Sequence, residues 1–396
     1  MMTLIKNKYA PLTERTAAEL AVSLGQFPGS ASLATEEIGD GNLNLVFRIK
    51  ENRTGKSLII KQALPFAKVV GESWPLTLKR AAIEAGALKL FKKLAPDFVP
   101  EVFYNDEELA VTVMEDLSHL EISRTGLISG KEYPLLSGHL GNYLARTLFY
   151  TSDYGLLQAD KKKLAKDFYN PELCKITEDL IFADPYFNSP TNDFEEELKG
   201  DAEALWADSA LKLEAARLRK IFLNEAEALL HGDLHTGSIF ASNAETKVID
   251  PEFAFCGPAG FDIGQVIANL LFQSLANPEK TRLIDKHIET FWRTFSDEFS
   301  LLWQKDNKDP FAETEGFLSA VLQKYWEDAV GFAGCELIRR TIGLAHVADL
   351  DGIEDKKARL SAKRAALAAG RNLILQRREI ADAKDLCRIV SLVSAG

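Results

Sequence analysis

Two stretches late in the chain gather the groups that do chemistry: "HGDLHTGSIF", residues 231–240, and "VIDPEF", residues 248–253. The first holds two histidines, an aspartate, a glycine and a serine in one turn-like segment. Asp233, at its centre, is placed to accept a hydrogen bond from a substrate hydroxyl and take its proton, the work of a general base, while His231 orients the loop. In the second, Asp250 and Glu252 stand two residues apart behind an apolar pair. If Pro251 keeps the backbone extended, both carboxylates converge on one hard cation such as magnesium. Either segment alone reads as well as a capped turn or a solvated acidic pair. In this order, so close together, they read as a site.

Something must hold such loops in place, and the rest of the chain supplies it. "LATEEIG" (33–39), "LVFRIKE" (45–51) and "SLIIKQA" (57–63) are short alternating or β-branched runs separated by the turn signals "DGN" and "NRTG", which predicts an antiparallel meander. Apolar residues at Leu78, Ala81, Ala82, Ala85, Leu88, Phe91 and Leu94 keep helical spacing until Pro96 ends it. "EVFYND" and "LAVTVMEDL" predict two more strands. Beyond Ser118 helical patterns dominate, over 132–151, 194–229, 261–276, 279–304, 313–348 and 356–379. The fold class is therefore α+β: a small N-terminal antiparallel-sheet lobe with one main helix, residues 1–117, and a large, mostly helical C-terminal lobe, residues 118–396. The 231–240 loop follows the end of a long helix near Leu230 and precedes a short strand in "TKVID".

Composition narrows the partners. A chain of 396 residues, 46% hydrophobic and 27% charged, can bury a sizeable core and divide into two lobes. Its formal net charge of −11 works against nucleic acid and against anionic membrane surfaces. Cys174, Cys256, Cys335 and Cys387 are far apart and form no metal or disulfide pattern, which suggests reduced thiols in the cytoplasm. The N-terminal stretch has no apolar segment of signal-peptide length. The longest uncharged run, Ile263 to Pro278, is broken by Gln265, Asn269 and Ser274, so no membrane span is expected.

"HGDLHTGSIF" and "VIDPEF" resemble the catalytic loop and metal motif of protein-kinase-like small-molecule phosphotransferases, the superfamily of aminoglycoside, choline and homoserine kinases. Two departures stand out. Most members carry Asn five residues after the catalytic Asp, where this chain has Ser238, and here Asp-Pro-Glu adds a second carboxylate, as though a metal ligand lost at 238 were regained at 252. With "GPAGFDIGQVIANL", this combination is similar to the 5-methylthioribose kinases. The resemblance implies a bilobal protein-kinase-like fold, ATP and Mg2+ as cofactors, a small sugar, 5-methylthioribose, as acceptor at its 1-hydroxyl, and a homodimer. It implies Asp233 as catalytic and sugar-binding residue, and Asp250, Pro251 and Glu252 as the motif that holds nucleotide and metal.

The N-terminal lobe can be read against the same expectation. Gly39 and Gly41 in "GDGNLNLVF" let backbone N–H groups approach phosphate, and Asn42 or Asn44 adds a side-chain donor. Lys61 ends the run "LIIK" and is expected at the α- and β-phosphates, held by Glu84 from the following helix. Glu115, Asp116 and Leu117 form the hinge whose backbone meets adenine. Trp74, in "VGESWPL", resembles a loop residue that covers the sugar, and Arg339 and Arg340, in "ELIRRTIG", resemble the family's sugar-binding arginines. Adjacent helical residues point about 100° apart, so one of the pair is expected at substrate or γ-phosphate, with Arg340 favoured, and a solvated edge is the competing reading. Asp262 is expected to brace the catalytic loop, whereas His235, His119, His139, His287 and His346 read as structural or surface residues. Two rivals stay open: another small-molecule kinase, for choline, homoserine or an aminoglycoside, and a nucleotide-binding regulator without catalysis.

Overall fold

Five short runs, all but the edge strand at 33–37 carrying Val, Ile or Phe, pair into one antiparallel sheet. The computed structural model describes residues 9–38, 43–67 and 71–394, and the chain divides into two compact units: Met1–Leu120 with Val248–Phe253, and Glu121–Lys247 with Ala254–Gly396. The first unit contains α1 (Glu14–Ser23), β1 (Leu33–Glu37), β2 (Asn44–Glu51), β3 (Ser57–Ala63), β4 (Phe66–Ala67), β5 (Gly71–Pro75), α2 (Lys79–Leu94), β6 (Val102–Asp106) and β7 (Val111–Glu115). The sheet order is β1-β2-β3-β7-β6, antiparallel throughout. The expected meander is thus present, with β4 and β5 as a separate hairpin.

Strand alternation decides where the lysine goes. Leu58 and Ile60 of β3 join Phe47, Ile49, Val111 and Val113 in a core closed by Ala17 and Ala21 of α1. Lys61, one residue on, points to the opposite face. On that face the small residues Ala63, Ala81 and Ala110 pack together, which brings α2 close to the sheet. Helix α1 is not marked by the apolar periodicity; it rests on a capping box in which the Thr13 and Thr16 side chains satisfy each other's backbone N–H groups.

The second unit contains β8 (Glu121–Ile122), α3 (Ser123–Ile128), α4 (Leu136–Thr151), α5 (Gln158–Asp167), α6 (Pro171–Phe182), α7 (Lys199–Ala207), α8 (Ser209–Asn224), β9 (Ala228–Leu229), β10 (Ile239–Ala241), β11 (Thr246–Val248), β12 (Cys256–Gly257), α9 (Gly260–Ala276), α10 (Thr281–Asp306), α11 (Phe317–Ile342), α12 (Ala348–Asp351), α13 (Lys356–Gln376) and α14 (Ala383–Ser394). The single long helix expected over 194–229 is broken. Asp208 caps α8, accepting from Leu211 N at 3.0 Å, and the segment before the catalytic-type loop is strand β9, not a helix end. Helices α9 and α11 approach closely: a Cβ added at Gly264 would stand 2.6 Å from the Ala329 carbonyl oxygen. Phe182, Phe222, Phe261 and Phe332 fill the neighbouring core, Phe332 meeting Phe182 and Phe261 edge to face and the other pairs tilted. Among the described residues no helix is long and apolar enough to cross a membrane.

Candidate functional site

In the sheet-bearing unit the structure brings together residues far apart in sequence. Lys61 Nζ lies 2.8 Å from Glu84 Oε1 and also donates to Asp250 Oδ1. Burial alone would depress the lysine's pKa, but the Asp250, Glu84 and Glu252 carboxylates outweigh it and hold Lys61 firmly protonated. Glu84 is shifted upward too, for a different reason: burial, with Asp250 and Glu252 adding to it, raises its pKa despite the lysine. Glu84, Asp250 and Glu252 each bring one carboxylate oxygen within 4.8 Å of the others. Such a set of hard oxygen donors, with Asp250 more than a third exposed, fits a divalent cation.

Several expectations for this unit need correction. The backbone at Asp250 is not extended: its φ is +69°, a left-handed conformation that an aspartate tolerates better than most residues but that still costs about 1–3 kcal/mol. Asn44, expected as a side-chain donor to phosphate, has that side chain in contacts within the unit. Its amide donates to Glu252 Oε2 at 3.3 Å and its carbonyl oxygen accepts from Arg80 at 3.2 Å. Trp74 lies on strand β5, where a loop was expected, and Gly39 and Gly41 lie outside the described residues. At the end of β7, Glu115 N donates to the Glu101 carbonyl, the Leu117 carbonyl accepts from Leu120 N, and the Asp116 side chain accepts from Ser118 N at 2.9 Å. Pro251 is buried between its two acidic neighbours.

In the helical unit the loop 231–240 lies between β9 and β10, and β9 pairs with β12. Asp262, in the first turn of α9, accepts from the backbone N–H groups of His231 at 2.6 Å and Gly232 at 3.0 Å. Gly232 takes φ +85°, which favours glycine, so the loop's entry is fixed by one carboxylate and one missing Cβ. Asp233 follows. Its carboxylate lies 3.4 Å from Arg340 Nη2 and 3.6 Å from His235 Nε2, and about a quarter of its side chain (26%) remains exposed. Burial pushes its pKa up, but the charges of His235, Arg340, Arg339 and His231 win and hold it far below the usual carboxylate range.

Arg339 and Arg340 are both buried, against the reading of a solvated helix edge. Glu336, one turn earlier on α11 and wholly buried, accounts for this: it accepts from Arg339 Nη1 at 3.0 Å and from Arg340 Nε at 2.5 Å. Although burial opposes it, the two arginines pull the Glu336 pKa down to about 2. Arg340 alone extends to Asp233, while Arg339 keeps a buried Nε without a hydrogen-bond partner among the described residues. Ser238 is buried and its hydroxyl lies 3.2 Å from His235 Nδ1. Sequence reasoning missed His235, Glu336 and Arg80. The first sits at the loop position i+2 from Asp233, a spacing that was available as a signal; the other two look like ordinary residues of helical repeats.

An ionised, partly exposed carboxylate flanked by cations can orient a hydroxyl and accept its proton late in a reaction. A lysine set among carboxylates can neutralise phosphate oxygens. Comparison with known proteins agrees with that chemistry. Residues 34–291 match the phosphotransferase enzyme family. The chain is 62% identical over 379 residues to a methylthioribose kinase of Geobacillus sp. (strain WCH70), covering 96% of this chain and 95% of that one. It is 59% identical over 391 residues to a methylthioribose kinase of Geobacillus thermodenitrificans, covering 98% of both. Among solved structures, an ethanolamine kinase of Plasmodium vivax aligns over 89% of each chain with 13% identity and a TM-score of 0.48.

Proposed function

We propose a function from one premise: this chain belongs to the phosphotransferase enzyme family and, within it, groups with the methylthioribose kinases. It transfers the γ-phosphoryl group of ATP to the anomeric 1-hydroxyl of 5-methylthioribose, giving the 1-phosphate for methionine salvage. The observation that carries the substrate is the 62% identity sustained over 96% of the chain.

In this reading Asp233 binds the sugar's 1-hydroxyl and accepts its proton. An anomeric hydroxyl is more acidic than an ordinary alcohol and phosphoryl transfer passes through a loose transition state, so a weakly basic carboxylate suffices if it positions the nucleophile. The depressed pKa of Asp233 supports that role. Arg340, and Arg339 through its unpartnered Nε, meet sugar or γ-phosphate. Lys61, held by Glu84, pairs with the α- and β-phosphates, and the hinge at Glu115, Asp116 and Leu117 meets adenine. Asp250 and Glu252 would hold Mg2+, which supplies charge neutralisation at the phosphates when bound. Residues 1–117 act as the nucleotide lobe and 118–396 as the catalytic and sugar lobe; by family resemblance the enzyme is a cytoplasmic homodimer.

The test is ATP turnover with a panel of ribose derivatives, choline, homoserine and aminoglycosides. Turnover with 5-methylthioribose above the rest is expected. Turnover with choline but not with the sugar overturns the substrate, and none with any acceptor overturns the catalytic reading.

A further inference from the structure

Arg80 is fully buried and engages hydrogen-bond acceptors through every nitrogen of its guanidinium. Nε donates to Glu252 Oε2 at 3.1 Å. Nη1 donates to the carbonyls of Leu64 at 2.9 Å and Thr77 at 3.2 Å, and Nη2 to the Asn44 side-chain oxygen at 3.2 Å and to the Leu43 carbonyl. Five donors meet five acceptors, the full capacity of the group. Glu84 stands four residues on, on the same face of α2. One helix face therefore carries the cation that holds Glu252 and the anion that holds Lys61. Across the cluster three carboxylates (Glu84, Asp250, Glu252) meet two cationic side chains (Lys61, Arg80), which leaves one negative charge for an incoming cation.

A carboxylate as buried as Glu252 is costly unless it is paired, and one left loose beside Asp250 would be driven away by its charge. We propose that Arg80 is a positioning residue for divalent-cation binding: it fixes Glu252 beside Asp250 and ties that carboxylate to the start of β2 through Leu43 and Asn44. The proposal rests on Asp250 and Glu252 being the metal motif. Lysine cannot replace arginine here, since it has neither the planar fork nor the reach to five acceptors.

The test uses Mn2+ as the probe, with a non-hydrolysable ATP analogue bound to the full chain and free Mn2+ read by electron paramagnetic resonance. Arg80→Lys is expected to raise the Mn2+ dissociation constant about 10-fold, as loss of an outer-shell partner typically does, and Glu252→Gln, which uncharges the ligand that Arg80 positions, by about as much. The double variant should lose little more than either single one, because both remove the same ligand geometry. Sugar affinity by calorimetry should stay at the wild-type value. Should Arg80→Lys fail to fold, Asn44→Ala removes the other contact to Glu252 Oε2 while leaving the guanidinium's carbonyl contacts, and a weakening of Mn2+ binding that disappears in the Glu252→Gln background is expected. Losses that multiply to about 100-fold in the double variant overturn the proposal, as does a folded Arg80→Lys with unchanged Mn2+ binding or a wild type that binds no Mn2+. A coupled loss of Mn2+ in a protein that phosphorylates no sugar sustains this inference while removing the proposed function.

Discussion

Asp233 is held ionised by charges that come from two directions: His231 and His235 of its own loop, and Arg339 and Arg340 of α11. Asp233→Asn keeps the side chain's size and removes the proton acceptor, so turnover should fall about 10²- to 10⁴-fold with both substrates still bound, as measured by steady-state rates and calorimetry. The pH dependence follows from the direction of the shift. A carboxylate whose folded pKa is depressed stays charged until the pH falls through that lowered value, so Asp233 should give kcat/KM no acid limb between about pH 5 and 8. Arg340→Gln deletes one of the charges that lower it. The acid limb should then move upward in pH, and an unmoved limb would dissociate Arg340 from Asp233. Asp233, Lys61, Glu84 and Asp250 were legible because order and spacing along the chain mark them. His235 was not, because a histidine without metal spacing looks ordinary until the turn brings its Nε2 to 3.6 Å from the aspartate. Glu252 was legible as an acid but not as the partner of Arg80, 172 residues away.

At the scale of elements, α11 and β3 deliver the charged groups, and each does so against a cost. Glu336 lies inside α11 with no exposure and is matched by two arginines. Glu336→Gln would strip Arg339 of its paired carboxylate and leave Arg340 with Asp233 alone, and should destabilise the protein by about 3–5 kcal/mol in urea unfolding at pH 7. Its folded pKa, about 2, lies below the unfolded value. The wild type's advantage is therefore complete above the unfolded pKa of roughly 4.3 and should shrink as pH falls from there toward 2. On β3, Lys61→Met removes the ammonium that Glu84 and Asp250 share. It should raise KM for ATP and lower turnover while sugar affinity holds; unchanged nucleotide affinity and turnover would count against the role given to Lys61. The sheet was readable because alternation and turn residues agree. The helical part was read less well for a local reason: periodicity runs through Asp208 without a break, yet its side chain caps α8 and ends the pattern there. Helix α1 escaped the apolar pattern because it buries only Ala17 and Ala21 on a short face.

For the whole molecule, the division of the chain differs from a simple cut near residue 118. Val248–Phe253 belongs with the sheet-bearing unit although the chain on both sides of it belongs to the helical one. A fragment ending at Leu120 would keep every strand of the five-stranded sheet but lose Glu252, leaving Arg80 buried without its counter-charge, at a cost of about 3–5 kcal/mol. Such a fragment should show a lower urea midpoint than the same unit does in the full chain, and an equal midpoint would make the six-residue return dispensable.

That return also sets a clock on synthesis. A ribosome moving at about 5–20 residues per second takes on the order of ten seconds to go from Leu120 to Phe253. Throughout that interval Lys61 of the nascent sheet has Glu84 but not Asp250, and Arg80 lacks the Glu252 that will neutralise it. Vectorial folding is thereby delayed at the N-terminal side, and the first unit to be translated is completed only after the helices of the second have begun to emerge.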